Sequence, residues 1–422
     1  MTKEIQPGVY FHLIPTQQFK TLRLYIRFSA RHQAQSAAAR TLLTSLLETN
    51  SRNYPTHTAL SSALAELYGA SFGVNMAKKG NLHQVNLSMN LVNGKYLGVS
   101  SLLDQATAFI KEILFTPNIV ASSFDEGTFA IEKENLIAYM KSIAEDKQTY
   151  ASQELQQLFF QSDADQSVPS YGTLASLTAL TSQDLVATYE KMLNEDQVDV
   201  FLVGDVTEAE GDRFMAALPF SKTERVHPEI FYYPMADNVI AEKQEQEPLT
   251  QSKLNLGYAM DVYYGQPERF ALMVFNGLFG GFPHSRLFMN VREKESMAYY
   301  ASSSYDTFRG FVSVQTGIDG ENRERILHLI AQQLESLQRG EITAEELAQT
   351  KAMLKNSFLL SLDSPQAMIE AAYLDNWLPE AAMTDEMILA GIEAVTIKEV
   401  QKIAQKMQLK AVYCLEGVGK NA

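Results

Sequence analysis

Arg292 and Tyr299, seven positions apart, are the pair in this chain whose types and spacing best suit the holding of a ligand. A guanidinium offers a planar fork of donors to a carbonyl or carboxylate, and a phenol adds a single O–H. The spacing alone admits two arrangements. Both groups could face one cleft, or the arginine could be solvated on a helix while the tyrosine packs on a sheet.

The elements that must position them follow from the surrounding stretch, Gly280 to Tyr305, which reads G-G-F-P-H-S-R-L-F-M-N-V-R-E-K-E-S-M-A-Y-Y-A-S-S-S-Y. Gly280, Gly281 and Pro283 break the preceding apolar segment. Ser285 then fits the N-cap of a helix with Leu287, Phe288, Val291 and Met297 as its apolar positions, carrying Arg292 and ending near Ala298. Tyr299 to Tyr305 is a short β-favouring run, and after Gly310 a second alternating run covers Phe311 to Thr316. The spacing predicts a helix followed by a hairpin, with Arg292 and Tyr299 at the junction.

This order of residues resembles the C-terminal-half signature of the pitrilysin/insulinase superfamily of zinc metallopeptidases, which includes the mitochondrial processing peptidases and their bacterial relatives. There a glycine-rich turn leads into S-R-L-F-x-x-V-R-E-K-x-x-x-A-Y. The resemblance implies that Arg292 and Tyr299 bind the substrate backbone. It also implies an α+β fold of two homologous halves, each an antiparallel or mixed sheet with helices packed on it, with a linker and a cleft between them.

Active members carry H-x-x-E-H in the first half, where two histidines on one helix face bind zinc and the glutamate acts as general base. Anchoring on Tyr54-Pro55 and Gly69-Ala70 places that motif at Thr41-Leu42-Leu43-Thr44-Ser45, which has neither histidine nor the base. A further glutamate expected on a later helix falls at Tyr139, after Ala138; Glu134 is the nearest carboxylate in register. Hydroxyls are poor zinc ligands beside imidazole and carboxylate, so no metal is expected in this chain. The seven histidines, at 12, 32, 57, 83, 227, 284 and 328, include no pair spaced for one helix face, and each reads as a surface or locally hydrogen-bonded imidazole. His284, beside the glycine turn, is the one closest to possible chemistry.

Other chemistries find little footing. Ser302-Ser303-Ser304 lacks a nucleophile elbow, and Gly277-Leu-Phe-Gly280-Gly281 is not followed by the Lys-Ser or Lys-Thr of a phosphate loop. Cys414 is the only cysteine, which excludes an intrachain disulfide, and its apolar strand suits an inert buried thiol.

With 422 residues, 46% apolar and 20% charged, the chain has the balance of a multidomain globular protein. A net charge of −15 argues against nucleic acid as a partner. No apolar run is long enough for a membrane span and the N-terminus lacks a signal-peptide pattern, so a cytoplasmic location is expected.

The periodicities divide the chain into an N-terminal half, 1–222, a Pro-rich and charged linker, 223–250, and a C-terminal half, 251–422. The first half is expected to open with a hairpin of Val9–Ile14 and Thr21–Phe28. Val198–Val203 is expected as a buried strand, and a strand from Lys410 to Leu415 closes the chain.

An absent zinc motif beside an intact clamp implies, by the same resemblance, the zinc-free subunit of a two-chain peptidase. Arg292 and Tyr299 would bind peptide while a partner supplies zinc, and hydrolysis would require both chains. The alternatives are a non-catalytic homodimer that binds peptides or serves as a scaffold, and an active peptidase with a displaced metal site.

Overall fold

The computed structural model describes residues 1–234, 238–294, 298–319 and 322–418, so Met297 lies outside the described residues. The chain forms two compact α+β units. The first comprises Met1–Lys141, Val168–Ile230 and Asp363–Asn376, and the second Ser142–Ser167, Phe231–Leu362 and Trp377–Ala422. Each unit therefore takes one short stretch from the opposite end of the sequence.

The first unit is built on a six-stranded sheet in the order Thr2–Gln6, Val9–Pro15, Gln197–Gly204, Thr21–Arg31, Leu82–Val92, Ser71–Lys79. The expected hairpin of Val9–Ile14 and Thr21–Phe28 does not form, because Gln197–Gly204 lies between the strands that contain them, parallel to the first and antiparallel to the second. The cause is burial: every residue from Gln197 to Gly204 is buried, and a strand covered on both faces belongs in the middle of a sheet.

The alternation of strand side chains gives this sheet two unlike faces. Phe11, Leu24, Ile26, Phe28, Val85, Leu87, Val200 and Leu202 point into an apolar core shared with helices Ala34–Thr49 and Leu102–Phe115. Their neighbours His12, Arg27, Ser29, Gln84, Asn86 and Asp199 are polar yet buried. Helix Pro365–Trp377 covers that polar face, with Glu370, Tyr373 and Asn376 spaced three apart so that one side of the helix meets the sheet.

The second unit has a five-stranded sheet in the order Ala298–Asp306, Phe311–Ile318, Ser252–Ala259, Gln408–Gly417, Ala241–Glu247. Ala241–Glu247 falls in the stretch expected to be linker, yet it pairs parallel to the last strand. Its residues A-E-K-Q-E-Q-E alternate between partial and full exposure, as suits a charged edge strand that discourages further pairing. Residues 219–234 carry no regular element.

Helix Lys147–Phe159 packs Ala151 and Leu155 against Tyr413, Leu415 and Phe311 on one face of this sheet. The other face joins a core that includes Leu272, Phe275, Leu287, Val291, Ile326 and Ile330. Cys414 is buried there, and burial pushes its thiol up from the ordinary value, so it is inert.

Candidate functional site

In the second unit the glycine turn permits close packing. A Cβ at Gly277 would come within 2.6 Å of Thr350, and one at Gly280 within 2.5 Å of the Ser303 nitrogen. Only glycine lets the backbone approach both neighbours so nearly. The chain is π-helical over Gly277–Gly281, turns, and becomes π-helical again over Leu287–Lys294. Ser285 accepts the Phe288 N–H at 3.4 Å, the capping contact its position suggests.

Leu287 and Val291 are fully buried and anchor the segment. Arg286 fixes it sideways: its guanidinium donates to Ser336 Oγ at 3.2 Å and pairs with Glu346 at 3.0 Å. The signature arginine at 286 is therefore a tie between elements, whereas Arg292 points elsewhere. Its guanidinium lies 4.4 Å from the Phe288 ring centroid and 3.5 Å from Glu293, and its side chain is 40% exposed.

The next strand, Ala298–Asp306, packs against this helical segment. Tyr299 sits at its start, 60% exposed, and its hydroxyl donates to Asp319 Oδ1 at 3.4 Å. The ring is therefore mostly exposed rather than buried in the core. Arg292 and Tyr299 stand on adjacent elements with accessible polar ends.

His284 Nε2 lies 2.8 Å from Thr350 Oγ1, and its ring stacks on Phe282. Burial lowers its pKa against the opposing pull of Glu346, so the imidazole is neutral near pH 7 and serves as packing.

The site the resemblance implies for zinc lies on helix Ala34–Thr49, and its two threonine hydroxyls are turned to the backbone. Thr41 Oγ1 donates to Ala37 O at 3.0 Å and to Ser170 O at 3.2 Å; Thr44 Oγ1 donates to Thr41 O at 2.7 Å. The Ser45 carbonyl accepts from Thr49, whose hydroxyl also donates to Glu132 at 3.1 Å. Tyr139 is exposed with its ring edge-on to Tyr171, and Glu134 faces solvent.

Neutral hydroxyls bonded to helix carbonyls do not fit a zinc ion. Among the described residues no cluster of three or more His, Cys, Asp or Glu could hold a metal. Elemental analysis after purification without chelator is expected to find zinc far below stoichiometry; one zinc per chain would contradict this.

Comparison with known proteins agrees with this geometry. The peptidase M16 inactive domain matches residues 179–354. The probable inactive metalloprotease YmfF of Bacillus subtilis is 32% identical over 97% of this chain and 96% of its own length. The chain belongs to the M16 (pitrilysin/insulinase) peptidase family. A crystal structure of a conserved protein from Enterococcus faecalis V583 superposes with a TM-score of 0.96 at 53% identity, covering 100% of this chain and 99% of that one. A peptidase M16 inactive domain from Pseudomonas fluorescens shares the fold at 18% identity, with a TM-score of 0.80 and coverage of 100% and 99%.

In this M16 chain the structure also assembles polar groups that periodicity did not single out. Arg27 is 2% exposed; its Nε donates to Asn86 at 2.9 Å, its Nη2 pairs with Glu370, and its guanidinium stacks 4.3 Å from the Tyr373 ring. Lys79 reaches the other Glu370 oxygen at 2.9 Å. His12 is wholly buried rather than on the surface, and it is hydrogen-bonded, Nε2 lying 2.9 Å from Asp199 Oδ1 and Nδ1 3.0 Å from Thr2 Oγ1 on the neighbouring strand.

His32 and His83, far apart in sequence, meet edge-on at 4.8 Å. Both are buried rather than on the surface, and each is hydrogen-bonded, His32 Nε2 to Val168 O at 3.2 Å and His83 Nε2 to Ser170 O at 2.8 Å. The signal available in sequence was the alternation of Arg23, Tyr25, Arg27 and Ser29 on one strand face, which reads as solvent-facing until a covering helix is known.

Burial, reinforced by Arg40 and His32, holds the His83 pKa well below its usual 6.5. The folded chain therefore keeps His83 neutral while the unfolded chain takes up a proton, and stability falls as pH drops below that value. The expected loss is up to about 1.4 kcal/mol per pH unit from this residue. Urea unfolding between about pH 7 and pH 5.5 should show a shallower slope for His83→Gln. An unchanged slope would contradict the assignment.

Proposed function

We propose that this chain is the substrate-binding, zinc-free subunit of a two-chain M16 peptidase, in which Arg292 and Tyr299 hold the main chain of a peptide while a zinc-bearing relative supplies the metal. The observation that carries the reading is an asymmetry. The residues at the zinc positions are threonine and serine, with Thr41 and Thr44 donating to backbone carbonyls, whereas Arg292 and Tyr299 keep accessible polar ends on adjacent elements. A guanidinium and a phenol suit peptide carbonyls, and held in place they lower the entropic cost of aligning a substrate. YmfF, whose name marks it as probably inactive, is consistent with a chain that does not cut alone.

The test is to mix the chain with the zinc-bearing M16 relative of the same organism and follow assembly by sedimentation and peptide binding by fluorescence anisotropy. A complex that binds peptide, with binding lost on Arg292→Ala, supports the reading. Peptide binding lost on Arg292→Ala but with self-association only would favour a non-catalytic homodimer. No complex and no peptide binding would overturn the reading and leave a scaffold.

A further inference from the structure

The first unit contains a cavity of about 270 Å³ whose wall includes Ala30, Arg31, Arg40, Lys191, Val226 and Pro228. Arg40 is 4% exposed, and both of its hydrogen bonds leave from Nη2, to Asp196 Oδ2 at 2.7 Å and to His83 O at 3.2 Å. Its Nε is buried with no partner among the described residues, and Nη1 makes no hydrogen bond to them. A buried guanidinium with idle donors leaves part of its desolvation uncompensated.

The local charge balance is also positive. Asp196, the one buried carboxylate in the wall, pairs with Arg40, and its backbone carbonyl accepts from Arg225 at 2.6 Å. At the mouth, Arg31 and Lys191 are exposed; Lys191 stands 3.8 Å from Glu195, the second carboxylate in the wall. The wall thus carries Arg31, Arg40 and Lys191 against Asp196 and Glu195, a small positive excess in a chain of net charge −15. Ala30, Pro228 and Val226, the last 65% exposed, supply apolar surface beside the charge.

We infer that this cavity is a binding site for a small organic carboxylate, its anionic head on the free donors of Arg40 and its aliphatic body against Ala30, Val226 and Pro228. The head gains charge-assisted hydrogen bonds in a poorly hydrated setting, and the body covers Val226. Glu195 at the rim disfavours a second negative charge, which selects a monoanion with an apolar tail over a compact polyanion. The inference is independent of the peptide-binding reading, since it uses neither Arg292 nor Tyr299.

Isothermal titration of the full chain with acetate, hexanoate and inorganic phosphate tests it. Hexanoate is expected to bind at least about tenfold more tightly than acetate or phosphate. Arg40→Ala would strand Asp196 and risk the fold, so the decisive variant is Val226→Trp, an exposed position whose enlarged side chain fills the cavity. It should weaken hexanoate by about tenfold or more with an unchanged thermal midpoint. No binding, phosphate binding as tight as hexanoate, or hexanoate binding untouched by Val226→Trp would each overturn the inference.

Discussion

Glu370→Ala is expected to destabilise the first unit by about 3–5 kcal/mol. Glu370 accepts from Arg27 and Lys79, and Arg27 is buried between the rings of Tyr25 and Tyr373. Burial by itself would raise the Glu370 carboxyl, but Arg27 and Lys79 overcome it and hold the pKa down to about 2. Removing the carboxylate leaves the Arg27 charge uncompensated in a place water does not reach.

Denaturant unfolding checks this through a lowered midpoint, with the earlier loss confined to the transition of the first unit if the two separate. A loss under about 1 kcal/mol would mean that helix Pro365–Trp377 is held by Ile369 and Tyr373 packing, with the ion pair contributing little. The charge state gives a second check with a definite sign. A carboxylate with a depressed folded pKa stabilises at pH values above the ordinary 4.5, and that contribution fades as pH falls from there toward 2.

Arg292→Ala is expected to lower peptide hydrolysis by the mixed chains by about 10²–10³-fold, the scale seen when one positioned donor is removed from a reacting carbonyl. Tyr299→Phe, which deletes a single O–H, is expected to cost about tenfold. Neither change should move the thermal midpoint, since Arg292 is half-exposed and Tyr299 mostly exposed. Substrate-concentration series at fixed partner separate the effects: a rise in KM alone would point to simple affinity, whereas a fall in kcat places the guanidinium at the reacting peptide bond. Full activity in Arg292→Ala would remove the arginine from the site.

How much was legible in the sequence differs between the two units, for physical reasons. The helix and hairpin around Arg292 and Tyr299 were visible because glycine, a serine cap and two changes of period lie within some thirty consecutive residues. Gln197–Gly204 was legible as a buried strand but its partners were not, because a strand with both faces covered does not announce where it inserts.

The exchange of helices Lys147–Phe159 and Pro365–Trp377 between the units was equally hidden. Glu370, Tyr373 and Asn376 look like a solvent face until Arg27, Ser29, Gln84 and Asp199 are seen opposite them. The degenerate zinc positions show the reverse case. Thr41, Thr44 and Ser45 could be read directly, since the loss of ligand chemistry is a matter of residue type and needs no geometry.

The central claim, that this chain binds peptide but requires another chain to cut it, is tested most directly by one assay. A mixed fluorogenic peptide library is incubated with this chain alone and then with its zinc-bearing M16 relative added. The account predicts no hydrolysis by the chain alone and hydrolysis in the mixture above that of the relative by itself. Hydrolysis by the pure chain, or a mixture no faster than the relative alone, would contradict it.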